Sequence, residues 1–175
     1  FIRGQERYCL WIEDRDLDDA MAVPAIAQRI EAVKQMRLSS PKEATVESAR
    51  TPHRFGEVRQ SGEESVIIVP SVSSESREYL PCGYEAAGTI VSNAAFALYD
   101  APLWNMAIIA SRLHLVWIAT VCGKLKTDFR YSNTLGWNTF PVPTLTEKNK
   151  ADLTRCAEDI LLARERHFPA TIADL

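Results

Sequence analysis

Residues 103–121 are a run of 19, mostly apolar, interrupted by Asn105, Arg112 and His114. A membrane span would carry that charge at mid-depth, where it is costly in lipid. The run therefore reads as a helix buried in a soluble core, over residues 104–122. Ile109, Leu113, Val116, Trp117 and Thr120 fall at helical spacing within it, and Gly123 stands where a C-cap belongs. A helix this apolar needs other elements to cover it. At 175 residues the chain can supply them, since a domain of this size buries roughly 70% of its unfolded surface.

The remaining pattern is mixed. Tyr8-Cys9-Leu10-Trp11-Ile12 has strand character, and an acidic loop over residues 13–19 follows it. Pro24 opens a helix reaching about Leu38, with Ile26, Ile30, Val33 and Arg37 on one face, and Ser39-Ser40-Pro41 ends it. A weaker helical stretch covers residues 42–49. Val66-Ile67-Ile68-Val69 reads as a buried strand closed by Pro70, and residues 77–80 and 89–99 are further strand candidates. Residues 131–140 read as extended or looped, and Pro141-Val142-Pro143 bars a helix there. Thr146 with Asn149 can start a last amphipathic helix, bearing Leu153, Cys156, Ala157, Ile160, Leu161 and Arg164, which runs to about His167. The expected fold is α/β (α+β): a twisted mixed or antiparallel sheet packed against helices, with a C-terminal helix. The composition shift after Pro143 divides it into residues 1–145 and 146–175.

Charge and motif content narrow the function. The 20 Lys+Arg against 23 Asp+Glu leave a net charge of −3, which weighs against a free-standing nucleic-acid binder. That figure averages unlike segments: residues 13–19 hold five acids and one Arg, residues 124–130 three bases and one acid. The 14 Arg against six Lys favour the planar fork that suits phosphate and base edges, although a GC-rich genome explains the bias more simply. Cys9, Cys82, Cys122 and Cys156 form no C-x-x-C pair, so reduced thiols in a cytoplasmic protein are expected. His53, His114 and His167 lack metal-ligand spacing. No phosphate-cradling glycine loop and no nucleophile elbow occurs. The chain starts at Phe1 without Met or a signal sequence, as a piece of a longer protein would.

Three polar segments carry chemistry. In Pro70-Ser71-Val72-Ser73-Ser74-Glu75-Ser76-Arg77-Glu78-Tyr79, an extended chain would turn Glu75, Arg77 and Tyr79 to one side. Arg can donate to guanine O6 and N7, and Glu can accept from the cytosine amino group. A solvated loop with an internal Glu–Arg pair is the commoner explanation of such a segment. Residues 123–133 interleave Lys124, Lys126 and Arg130 with aromatics and hydroxyls, which suits phosphate contact, or a solvated connection after a helix. Arg50, His53, Arg54 and Arg59 form a third basic group opposed only by Glu57.

Taken in order, these segments resemble one family. Arg7-Tyr8-Cys9-Leu10-Trp11-Ile12, Pro52-His53-Arg54-Phe55 and residues 69–77 are similar to the target-recognition region of MmeI-like type IIL (IIG-like) DNA methyltransferases of restriction–modification systems. So are residues 111–117 and 123–132, and most distinctively Asn133-Thr134-Leu135-Gly136-Trp137-Asn138-Thr139-Phe140-Pro141.

The resemblance implies a parent enzyme with an N-terminal nuclease, a central S-adenosylmethionine-dependent adenine-N6 methyltransferase, this recognition domain and a C-terminal helical part. It implies base reading by Glu75, Arg77 and Tyr79. It also implies positioning on the DNA backbone by Ser73, Ser74, His53, Arg54, Lys124, Lys126, Arg130 and Ser132. The expected partners are double-stranded DNA and the other domains of the same polypeptide, with no membrane. The methyltransferase's Asn-Pro-Pro-aromatic loop, its glycine motif and a nuclease pattern are missing here. The fragment is thus expected to hold no cofactor and to neither methylate nor cut, with S-adenosylmethionine bound elsewhere in the parent. A catalytic methyltransferase domain, or a scaffold that holds other domains without touching bases, are the competing readings.

Overall fold

The computed structural model describes residues 2–5 and 7–175. It divides into two compact units, Phe1–Gln5 with Gln60–Leu175, and Glu6–Arg59.

Within Glu6–Arg59, α1 (Leu17–Ala22), α2 (Pro24–Leu38) and α3 (Glu43–Glu47) follow one another. Pro24 sits in the first turn of α2, where its missing N–H costs nothing. The expected face is the inner one: Ile30 is buried, and Ile26, Val33 and Arg37 are half-buried. From the last turn of α2, the Arg37 guanidinium donates to the carbonyls of Ser48 (2.7 Å), Thr51 (2.9 Å) and Arg54 (2.7 Å). It thereby clamps the segment after α3 onto the helix. Two expectations fail here. Residues 8–12 form no strand; Trp11 instead stacks on Phe55, ring centroids 5.6 Å apart. The acidic stretch is no loop, because Asp14–Asp16 makes a 3-10 turn that leads into α1.

The other unit is built on two small antiparallel sheets. In the first, β1 (Val66–Pro70) lies between β3 (Gly83–Glu85) and β4 (Ala95–Tyr99), with Ile67 opposite Tyr84 and Leu98. Every β1 residue is buried, which is why the run is continuously apolar rather than alternating. After Pro70 and Ser71 the chain passes into the second sheet. There β2 (Val72–Ser73) pairs with β6 (Asp128–Arg130), and β6 pairs with β5 (Lys124–Leu125). Of the two further strand candidates, 89–99 shortens to β4, while 77–80 is a turn region whose Leu80 carbonyl accepts from Cys82 N–H at 2.9 Å.

The apolar run at 103–121 is two helices, α4 (Trp104–Ile109) and α5 (Arg112–Val121). Ser111 is extended, and its hydroxyl accepts the His114 N–H at 3.1 Å, an N-cap that restarts the helix after a corner. The corner changes which side is buried. His114, Leu115 and Ile118 face the core, whereas Leu113 and Val116 are exposed. Nor is Gly123 a left-handed C-cap; α5 ends at Cys122 in extended conformation (φ −90°, ψ 158°).

Beyond it, Asn133–Trp137 form a wide helical turn. Gly136 is closely packed there: a Cβ would lie 3.2 Å from Cys122 Sγ and from Ile118 Cγ2, so the neighbours would have to shift to admit one. The final helix, α6 (Glu147–Arg166), starts at the expected Thr146 and Asn149, which form a capping box: Thr146 Oγ1 accepts Asn149 N–H at 3.2 Å, and Asn149 Oδ1 accepts Thr146 N–H at 3.1 Å. Its Ala157 is fully buried against α4, and Leu153, Ile160 and Leu161 pack on the core of Ile67, Val69, Leu80, Met106, Ile109 and Ile118. Cys156, expected on the inner face, is exposed. Arg164 reaches back to donate to the Cys82 carbonyl at 2.7 Å.

Candidate nucleic-acid interface

The β2–β6–β5 sheet joins two of the polar segments. Because Val72 pairs with Arg130 and Ser73 with Phe129, the loop leaving β2 emerges beside the β5–β6 hairpin. The loop over residues 74–79 is not the extended chain expected: residues 75 and 76 turn, and the Arg77 N–H bonds the Ser74 carbonyl at 3.3 Å. Alternation of side chains therefore does not set where Glu75, Arg77 and Tyr79 point. Tethers do. Glu75 lies 3.7 Å from Lys124 Nζ, Arg77 Nη1 donates to the Ile172 carbonyl at 3.0 Å, and Glu78 pairs with Arg112 at 2.5 Å. The internal Glu–Arg pair of a solvated loop is absent among the described residues. Ser74 and Ser76 hydroxyls bond each other at 2.9 Å. Tyr79 is 54% exposed.

Ser73 sits at the root of the loop, buried, with no hydrogen-bond partner for its hydroxyl among the described residues. Such an orphan is uncommon, because buried polar atoms are normally paired.

On the hairpin, register separates the three cations. Lys124 and Phe129 are opposite each other, and the Lys124 ammonium lies 5.6 Å from the Phe129 ring centroid. Arg130 is one residue on from Phe129 and so faces the other side of the sheet, with Val72. Lys126 takes the left-handed conformation at the hairpin turn (φ 59°). Lys126 and Arg130 are exposed and their side chains have no partner among the described residues. Ser132 is already used: its hydroxyl accepts the Leu135 N–H at 3.3 Å and opens the wide turn.

Under this surface lies an aromatic cluster. His114 is fully buried, 3.1 Å from the Tyr131 hydroxyl and edge-on to Phe140 at 4.7 Å. Burial pushes the imidazole down to about 4 and the Tyr131 phenol well above its ordinary value. Both groups are neutral near pH 7 and act as packing.

His53 and Arg54 belong to the other unit and are occupied there. Both converge on Asp14 Oδ1, His53 Nε2 at 2.8 Å and Arg54 Nε at 3.0 Å, with the His53 side chain almost buried. Among the described residues, no group of three or more His, Cys, Asp or Glu could hold a metal ion, and no helix is long and apolar enough to cross a membrane. Sequence reasoning missed Arg112 and the Ile172 carbonyl. Neither has a local signal, because each meets the loop through the fold.

The fold and the loop define a mixed α/β module that presents tethered polar side chains beside an exposed basic hairpin. It belongs to the MmeI target recognition domain family, whose family model matches residues 1–144. The chain is 40% identical over its whole length to DNA methyltransferase A of Bacillus subtilis (strain 168), of which it covers 20%. It superposes with a TM-score of 0.93 and 32% identity on the type IIL restriction–modification enzyme MmeI solved in complex with DNA, over 99% of this chain and 23% of that one. The chain thus spans about a fifth of the length of the relatives it matches.

Proposed function

We propose that this chain is the part of a restriction–modification DNA methyltransferase that docks on duplex DNA and reads its target sequence. The observation that carries the reading is the superposition of nearly the whole chain on an enzyme solved with DNA. The placement of Glu75 and Arg77 in a tethered loop beside exposed Lys126 and Arg130 supports it. Glu75 and Arg77 read base edges, with Tyr79 beside them. Lys124, Lys126 and Arg130 supply phosphate contacts, which position the protein without reading sequence. Ser73 and Ser74 set the root of the loop. His53, Arg54 and Ser132 contribute through the backbone they hold in place.

The chemistry of the parent lies outside these residues. We assign it adenine-N6 methylation from S-adenosylmethionine, with the target base flipped into a separate pocket. The residues present here do not fit that cofactor. Among the described residues all strand pairs are antiparallel, so none of them forms a parallel β–α turn that would offer a glycine loop and a helix N-terminus to it. The partners are double-stranded DNA and the methyltransferase and helical domains of the same polypeptide, in the cytoplasm. The division at residue 145 belongs to this proposal, since the family model stops at 144 and α6 starts at Glu147.

The test is selection of bound duplexes from a random pool by the full-length polypeptide. A defined sequence is expected, and Glu75→Gln with Arg77→Gln should relax or change at least one of its positions. An unchanged selected sequence with retained binding would leave only a scaffold role.

A further inference from the structure

Arg77 is held by a part of the chain 95 residues away. The Ile172 carbonyl that accepts from Nη1 lies in a closed turn following α6. Thr171 N–H and Oγ1 donate to Asp174 Oδ2 at 2.7 and 2.8 Å, and the N–H groups of Asp174 and Leu175 bond the Thr171 carbonyl at 2.9 and 3.2 Å. The turn is also fixed from outside itself, because the Ala173 N–H donates to the Ile2 carbonyl at 2.9 Å. Gly4, at φ +60°, comes close enough that a Cβ would lie 3.2 Å from Thr171 Cγ2. A residue with a side chain would be strained there on both counts.

A guanidinium carries five N–H donors in a rigid plane. One bond from Nη1 to a fixed carbonyl restricts the orientation of that plane. It also leaves the Nε–Nη2 edge without a partner among the described residues, and that edge has the two parallel donors needed for guanine O6 and N7. Glu75 and Glu78 are tethered to Lys124 and Arg112, so the two acids beside Arg77 are drawn away rather than closing on it. Immobilising a rotamer-rich side chain before binding removes an entropic cost from the complex.

We propose that the turn over residues 171–175 is a positioning element for base recognition: through the Ile172 carbonyl it orients Arg77 so that its Nε–Nη2 edge reads a guanine. Asp174 and Thr171 are its positioning residues, acting through Arg77 without contacting DNA. The inference rests on the base-reading role given to Arg77 above.

The experiment is a double-mutant cycle in the full-length polypeptide. Its probes are a duplex carrying the selected sequence and the duplex in which the base pair lost by Arg77→Ala is replaced. Arg77→Ala is expected to cut discrimination between them by about tenfold or more. Asp174→Ala and Thr171→Ala should each cut it by about three- to tenfold, with Thr171→Ser restoring it and affinity for the substituted duplex unchanged. In the Arg77→Ala background, Asp174→Ala should then do nothing further. A loss of discrimination from Asp174→Ala that persists without Arg77, or full discrimination in Asp174→Ala and Thr171→Ala, overturns the positioning role alone. Full discrimination in Arg77→Ala overturns the base-reading assignment and this inference with it. Melting temperature of each variant separates unfolding from lost positioning: a general collapse would weaken binding to both duplexes equally, and that too counts against the proposal.

Discussion

In the loop over residues 74–79, the charged side chains reach outward to different elements: Glu75 to the hairpin, Arg77 to the turn after α6, Glu78 to the start of α5. In the unit Glu6–Arg59, side chains of the same types close inward. His53 and Arg54 share one carboxylate, and Arg37 spends its guanidinium on three carbonyls of its own neighbourhood. The loop is thus oriented while keeping donors free, whereas the Arg37–Asp14 cluster consumes its donors in holding a backbone together. Residue type alone does not separate the proposed reader from a brace; where each donor is spent does.

The largest expected effect lies beneath the loop. His114 has its imidazole lowered to about 4 by burial, against an ordinary value of 6.5. The unfolded chain therefore binds the extra proton first as pH falls. Stability is full above about 6.5 and declines as pH drops towards 4, by up to about 3 kcal/mol in all. Denaturation at pH 7 and pH 4.5 should show the loss, and His114→Leu should flatten it. The decline should be mirrored by hydrogen exchange at amides 112–121. Second in size is Arg37→Ala, which removes three hydrogen bonds, two of them to solvent-exposed carbonyls, and should cost about 1.5 kcal/mol. The exchange protection lost should fall at residues 48–55, with discrimination between DNA sites intact. A change in discrimination would erase the contrast between brace and reader.

Much of this organisation is legible in the sequence, for local reasons. Pro24 with a 3.6-residue apolar period marks α2, the unbroken Val66–Pro70 run marks a buried strand, and Thr146 with Asn149 marks the start of α6. The corner at Ser111 hides in plain sight. Its capping hydroxyl is a recognised stop-and-start signal, yet the continuous apolar run on either side reads as one helix, which misplaces Leu113 and Val116 in the core. Residues 8–12 have strand composition but no strand beside them to pair with among the described residues. For the candidate interface, the residue types of the loop and hairpin are visible, and so is the family. The tethers are not, because Arg77–Ile172 and Glu78–Arg112 join positions 95 and 34 residues apart.

Smaller effects sharpen the same contrast. Asp14→Ala releases both His53 and Arg54 and should cost about 1 kcal/mol, read as faster exchange in the same 48–55 stretch. Glu78→Gln removes an exposed ion pair and should cost less than about 1 kcal/mol of stability. Its effect should appear instead as faster exchange of the loop amides 74–79.

The most direct test measures binding of the full-length polypeptide to site and non-site duplexes across a salt series. Arg77→Gln should close most of the affinity gap between the two duplexes. Lys126→Gln with Arg130→Gln should leave the gap in place and reduce the salt slope by about two. If the hairpin variant erases the gap while Arg77→Gln preserves it, sequence is read by the hairpin, and the division between a reading loop and a positioning hairpin is wrong.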